Sequence, residues 1–302
     1  NIIKPTDVII KITNTTICGT DLHILKGDVP EVPVGLTLGH EGVGIVDEIG
    51  SEVKNFKVGD RVIISCITSC AKCDYCKKGL QSHCVDGGWI LGHLIDGTQA
   101  EYVRIPHGDN SLYHIQPGSD EKALVMLSDI LPTGFEIGVL YGKVSKGDVV
   151  AIIGAGPIGL AALLTAQIYN PSEIIMVDLD NSRLEVAKQF GATHCINSSN
   201  GKAVESIMEY TKNKGVDVAM EAVGVPATFD ICQSILAPGG KLANIGVHGK
   251  SVELHIEKLW IQNVTITTGL VNANSTPMLL ENVKQGKLTP KSLITHNFTK
   301  DE

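Results

Sequence analysis

Val149-Val150-Ala151-Ile152-Ile153-Gly154-Ala155-Gly156-Pro157-Ile158-Gly159-Leu160 reads as an apolar strand that runs into a glycine turn and then a helix. Gly154 permits the tight turn, Gly156 lets backbone approach a pyrophosphate, and Gly159 lets the helix lie close to the strand. Pro157 and Ile158 fall in the first helical turn, where unpaired N–H groups face the phosphates of a bound dinucleotide. The helix continues to Tyr169, a second strand spans Glu173–Val177, and Asp178 closes it about 20 residues after the glycines, where an acid for the ribose is expected. A glycine-rich turn that only packs a helix on a sheet is the plainer alternative, and the complete strand–helix–strand unit argues against it.

Outward from this stretch the rhythm repeats. Strands are predicted at Val149–Ile153, Ile174–Val177, His194–Ile196, Val216–Glu221, Lys241–Ile245 and Thr265–Leu270, and helices at Ile158–Tyr169, Ser182–Phe190, Ala203–Lys212, Ala227–Leu236 and Pro277–Gln285. Thr133–Tyr141 reads as a helix where this half begins. The preceding half has short strands punctuated by glycines, at Val8–Ile12, Gly42–Ile49, Arg61–Ser65 and Tyr102–Ile105, with a turn and short helix over Thr16–His23. The fold class is therefore α/β: a mostly β domain over residues 1–132, a doubly wound parallel sheet over 133–272, and a final segment over 273–302.

The 302 residues suffice for two cores, and 43% hydrophobic with 4% aromatic content suits a Val/Ile/Leu/Ala-filled α/β protein. A formal net charge of -8 without a basic stripe argues against a nucleic-acid partner. No apolar run reaches membrane-spanning length; the longest, Ile158–Ile168, reads as a buried helix, so no membrane partner is expected. With no signal peptide in view, a reducing, cytoplasmic location is expected, although the chain opens on Asn1.

Cys70-x2-Cys73-x2-Cys76-x7-Cys84 places four thiols within fifteen residues, a set suited to a closed structural zinc site, with Lys72, Lys77 and Lys78 to offset thiolate charge. A disulfide pair, a nucleic-acid zinc ribbon and an iron–sulfur cluster remain alternatives at this point. Cys66, Cys195 and Cys232 lack a partner pattern and read as buried thiols.

Gly39-His40-Glu41-x2-Gly44-x5-Gly50-x2-Val53 resembles the signature of the zinc-containing alcohol dehydrogenases of the medium-chain dehydrogenase/reductase superfamily. Cys18-Gly19-Thr20-Asp21-x-His23, the four-cysteine lobe, Ser128-Asp129-x3-Thr133-Gly134 and the glycine turn follow in that family's order. The resemblance covers essentially the whole chain. It implies a GroES-like catalytic domain with two zinc ions, a Rossmann domain for NAD, and an active site in the cleft between them.

By resemblance, Cys18, His40 and Asp129 are the catalytic-zinc ligands, with Glu41 as a neighbouring or exchangeable ligand and three protein ligands leaving a place for substrate. Spacing alone would not join them. The carboxylate at Asp129, where many members have cysteine, is similar to bacterial secondary-alcohol dehydrogenases. The implied reaction interconverts primary or secondary alcohols and aldehydes or ketones, with zinc as Lewis acid, hydride passing to or from NAD, and a proton path from Thr20 through the cofactor ribose to His23. Trp89 is implied in the substrate pocket, with a structural aromatic as the alternative. Val223, Gly246 and Leu270 are further candidate cofactor contacts. Asp178, with Asp180 nearby and Arg183 the only neighbouring base, favours NAD over NADP.

In the family this chain resembles, the last sheet strand, here Thr265–Leu270, pairs across a two-fold axis, which implies a homodimer or homotetramer. The resemblance also implies a family first strand and a C-terminal helix and strand that this chain lacks. A polyol, threonine or formaldehyde dehydrogenase of the same superfamily, and a non-catalytic dinucleotide-binding protein, are the rival readings.

Overall fold

The computed structural model describes residues 1–299 and divides into two compact units, Asn1–Pro132 together with the segment from Val271 on, and Thr133–Leu270. The first unit is built on an antiparallel five-stranded sheet of β1 (Val8–Thr15), β2 (Gly42–Ile49), β3 (Arg61–Ile64), β4 (Tyr102–Ile105) and β5 (Leu112–His114), in the order β4-β1-β2-β3-β5. Side chains of one strand face alternate, so Val8, Ile10, Val46, Val62, Ile64, Val103 and Ile105 meet in one core, joined by Phe56 and Leu91. β-Branched residues fit such a pleated surface.

β1 runs three residues beyond the predicted Ile12, and this extension matters. Its last pair, Thr15 with Gly42, sets the chain that leads to Cys18 beside the chain that carries His40. The extension escaped the pattern because β1 and β2 slip register between Ile12 and Asn14, which breaks the alternation. β5 also went unseen, being too short at three residues for a period to show.

The second unit holds six parallel strands, β6 (Val149–Ile153), β7 (Glu173–Asp178), β8 (His194–Asn197), β9 (Val216–Glu221), β10 (Leu236–Asn244) and β11 (Thr265–Thr268), ordered β11-β10-β9-β6-β7-β8. The strand order reverses at β6, the point where ligands bind in open sheets of this kind. Val150 to Ile153 and Ile174 to Val177 are buried without interruption, as expected for strands covered on both faces. Helices Pro157–Ala166, Asn181–Gln189, Ala203–Tyr210 and Pro226–Ser234 provide the crossovers.

Two readings need correction, the start of β10 and the membrane-length run, while the helix expected after Thr133 is present with a different winding. β10 starts at Leu236, with an irregularity before Lys241 at Pro238-Gly239-Gly240, so the preceding helix ends at Ser234. The segment after Thr133 is wound as a π-helix, Gly134–Leu140, in which Gly134 and Gly138 leave room for Ala162 and Ile245. Finally, the helical run Glu121–Leu140 is, at 20 residues, long and apolar enough to cross a membrane, contrary to the reading that none was; 72% of its most apolar window is buried in the protein, as in a core helix.

Candidate active site

Three local structures bring distant residues together in the first unit. Thr15 Oγ1 and Thr98 Oγ1 both donate to the Glu41 carbonyl, at 2.8 and 2.9 Å, and hold the chain at His40 in place. Ser128 Oγ exchanges hydrogen bonds with Gly42, accepting from its N–H and donating to its carbonyl, both at 3.1 Å, so the next residue, Asp129, lies beside His40. Asp21 Oδ2 accepts from the Cys18 N–H at 2.8 Å and pins the thiol-bearing turn to the helix Gly19–Leu25.

The result is a cluster of Cys18, His40 and Asp129 whose ligand atoms all lie within 4.8 Å of one another. His40 is 3% exposed, with Nε2 at 3.1 Å from Asp129 Oδ2. Burial opposes a charge on His40, but Asp129 and Cys18 outweigh it through hydrogen bonds and charge, raising its pKa well above the usual 6.5.

Asp21 Oδ1 is buried without a hydrogen bond and stands 4.0 Å from His40 Nδ1. His40 Nδ1 thus faces a carboxylate while Nε2 faces Asp129. One thiolate, one imidazole and one carboxylate, oriented in this way, fit a zinc ion with an open fourth position.

Glu41 is outside this donor set. Its buried carboxylate accepts from Thr16 Oγ1 and from the Ile130 N–H, the latter at 3.3 Å. Burial, then the charge of Asp129, raises its pKa to about 7. His40 and Glu41 lie just before β2, and Thr16 and Ile130 hold the Glu41 carboxylate away from the cluster that His40 enters.

Cys70, Cys73, Cys76 and Cys84 form a second group with ligand atoms within the same 4.8 Å limit. All are free thiols, with Cys70 Sγ and Cys76 Sγ 4.0 Å apart. Backbone N–H groups of Cys76 and Val85 lower the Cys73 thiol to about 6, whereas burial pushes Cys76 up to about 12.

Thr20 lies one turn from His23 on the same helix, with Oγ1 3.7 Å from Cys18 Sγ. His23 is half exposed and its Nδ1 meets Asp28 Oδ2 at 2.8 Å, a partner the sequence had not suggested. Trp89 stands nearly perpendicular to the His40 ring, with ring centres 6.5 Å apart, and packs on Cys66, Ile67, Val271 and Ala273.

In the second unit, Gly154 has φ of +111°, and a Cβ there would lie 2.6 Å from Val223 Cγ2. A Cβ on Gly159 would collide with the Gly154 carbonyl, whereas Gly156, at the helix N-cap before Pro157 and Ile158, has open space beside it. These are the features of a cradle for pyrophosphate. Asp178 Oδ2 accepts from the Ala155 N–H at 2.7 Å and stands 3.9 Å from Arg183 Nη1; Asp180 caps the helix Asn181–Gln189 by accepting from Ser182. Val223 and Leu270 are nearly half exposed.

Glu221, missed in the sequence, is fully buried and accepts from the N–H groups of Val223 and Gly224 at 3.0 and 2.9 Å and from Thr228 Oγ1 at 2.6 Å. Gly246 has no room for a side chain because this carboxylate and Gly224 abut it. An acid ending the apolar strand Val216–Glu221 was the available signal.

The alcohol dehydrogenase GroES-like domain family matches residues 4–116, and the zinc-binding dehydrogenase family matches residues 157–285. An alcohol dehydrogenase of Cupriavidus necator is 36% identical, covering 99% of this chain and 87% of the relative. The chain belongs to the zinc-binding alcohol dehydrogenase family. Within that family, the NADP-dependent isopropanol dehydrogenase of Thermoanaerobacter brockii is 33% identical, over 97% of this chain and 86% of its own length. The apo structure of zinc dependent alcohol dehydrogenase 2 from Streptococcus pneumonia superimposes with a TM-score of 0.96 at 59% identity, covering 100% of this chain and 86% of that one. The family's fold, a GroES-like domain joined to a Rossmann-type parallel sheet, is the one described above.

Proposed function

We propose that this alcohol dehydrogenase family member interconverts primary or secondary alcohols and the corresponding aldehydes or ketones, with hydride passing to or from NAD. The observation that carries the reading is the open cluster of Cys18, His40 and Asp129, backed by Asp21. A zinc ion held there supplies a Lewis acid that lowers the pKa of an alcohol oxygen. Thr20 Oγ1 accepts the substrate proton, and His23, half exposed and oriented by Asp28, delivers it to solvent. Glu41 balances charge beside the donor set, and Trp89 walls the alcohol pocket. The four cysteines from Cys70 to Cys84 hold a second, structural zinc.

Gly154, Gly156, Pro157, Ile158 and Gly159 would hold the pyrophosphate, and Val223, Gly246 and Leu270 would contact the remainder of the cofactor. Asp178 accepts from the adenosine ribose hydroxyls, so NAD is preferred. A specific observation favours the second reading, NADP: Arg183 reaches to within 3.9 Å of Asp178, and could turn to a 2′-phosphate. Comparing kcat/KM with NAD and NADP over a panel of straight-chain, branched and polyhydroxy alcohols tests both substrate class and cofactor. No turnover of any alcohol by zinc-loaded protein would overturn the proposal.

We further infer a cytoplasmic homodimer or homotetramer paired through β11. That strand ends the sheet, and next to it Trp260 and Ile261 are 69% and 68% exposed. An open edge flanked by apolar side chains is suited to a second copy.

A further inference from the structure

His93 lies against Trp89, outside the cluster of Cys18, His40 and Asp129. It follows Gly92 in the turn that starts at Trp89, and its imidazole stacks on the Trp89 indole with ring centres 4.1 Å apart and planes at 21°. Its Nδ1 donates to the Trp89 carbonyl at 2.9 Å, so ring and backbone of one residue are gripped by another four positions on. Its Nε2 is buried and makes no hydrogen bond; the acid facing it is Glu31, with Oε1 at 3.5 Å. Glu31 belongs to an irregular loop between Gly27 and Leu38 whose far end is fastened to this same turn. Thr37 N donates to Asp96 Oδ1, and Gln99 N donates to the Leu38 carbonyl, both at 3.0 Å.

The turn is also locked against the chain that carries His40. A Cβ on Gly92 would lie 2.7 Å from the backbone of Gly39, and one on Gly97 would overlap the Gly39 carbonyl. Trp89, perpendicular to the His40 ring, thus has its position set by the turn and by the stack at once.

We propose that His93, stacked on the Trp89 indole and hydrogen-bonded to its carbonyl, is a specificity-determining positioning residue that fixes that indole as the wall of the alcohol pocket. This rests on the reading of Cys18, His40 and Asp129 as the site of alcohol oxidation. An indole free to swing admits bulkier or branched alcohols; one held by the stack discriminates against them. A residue of purely architectural use would have little need for an imidazole with one nitrogen left without a hydrogen bond.

The test uses zinc-loaded full-length chain carrying His93→Ala, His93→Gln or His93→Phe, with two readouts. The first is the kcat/KM ratio for a straight-chain primary and a branched secondary alcohol. His93→Ala and His93→Gln should change it by about tenfold, the scale of small shape changes in an apolar pocket, through the KM for alcohol and with the KM for cofactor unchanged. His93→Phe, which keeps the stack, should remain near the parent. The second is acrylamide quenching of tryptophan emission, which should rise in His93→Ala and His93→Gln, and show no such rise when Trp89→Phe is also present; the chain has 2 tryptophans, and Trp260 contributes alike to each comparison. If His93→Ala fails to fold, His93→Gln serves the same comparison.

Unchanged discrimination and unchanged quenching in an active enzyme overturn this proposal alone. A parent protein that oxidises no alcohol overturns the functional reading, and the specificity role with it, even if quenching still responds.

Discussion

Gly39, Gly92 and Gly97 meet backbone to backbone beside His40, which makes single atoms decisive there. Gly97→Ala would drive a methyl group into the Gly39 carbonyl and to 2.6 Å from the Leu38 carbonyl. Overpacking of this kind costs about 1–3 kcal/mol. A lower denaturation midpoint is expected, together with weaker metal retention as His40 shifts; metal analysis and urea unfolding of the same variant check both. At the same scale, Thr20→Ala should lower turnover by about 10²–10⁴-fold with little change in cofactor affinity, whereas His23→Gln should slow it chiefly at low pH, where proton release is hardest. Retention of full kcat by Thr20→Ala with chemistry rate-limiting would remove Thr20 from the proton path. The residues that carry these arguments were legible to different degrees. Cys18, His40 and Asp129 came from resemblance, since their contact depends on the Thr15–Gly42 pairing and the Ser128–Gly42 bridge, which no spacing reveals. Asp21 was visible in the motif, three residues after Cys18, but its service to His40 Nδ1 is a matter of tertiary structure.

Among the elements, the sheet with continuous apolar strands was read nearly whole, because strands buried on both faces announce themselves by composition. Bulged β1, three-residue β5 and irregular β10 were misjudged where pairing, not pattern, sets the ends. One contact between elements yields a pH prediction. Glu121 opens a short helix and accepts from Arg61 Nε on β3 and, at 3.0 Å, from Thr13 Oγ1 on β1. Arg61 holds its pKa below the usual 4.5. A carboxyl depressed in the folded state stabilises above its unfolded pKa, and that contribution is lost as pH falls through the folded value. Glu121→Gln should therefore be less stable than the parent near neutrality, the gap closing at pH below about 4.5. With Arg61 nearly half exposed, solvent screening keeps the gap small, and equilibrium unfolding across pH is the measurement. The cysteine lobe gives another prediction: Cys73→Ser should halve the zinc content and lower the unfolding temperature, because a structural zinc site contributes folding free energy directly. Unchanged zinc content would show that Cys73 is not a ligand.

For the whole molecule, the claim on which everything rests is that the chain holds one closed, structural metal site and one open, chemically active site. The two should differ in lability, since a four-thiolate cage surrounds its ion and a three-ligand set leaves one side exposed. The direct measurement is stepwise chelation of zinc-loaded protein, following metal release, alcohol-dependent reduction of the nicotinamide cofactor and far-ultraviolet circular dichroism in one titration. Activity should vanish with the first equivalent of zinc released while the dichroism stays that of the folded protein, and the second equivalent should leave only with loss of structure. Activity that survives the first equivalent, or activity and fold lost together, would contradict the account.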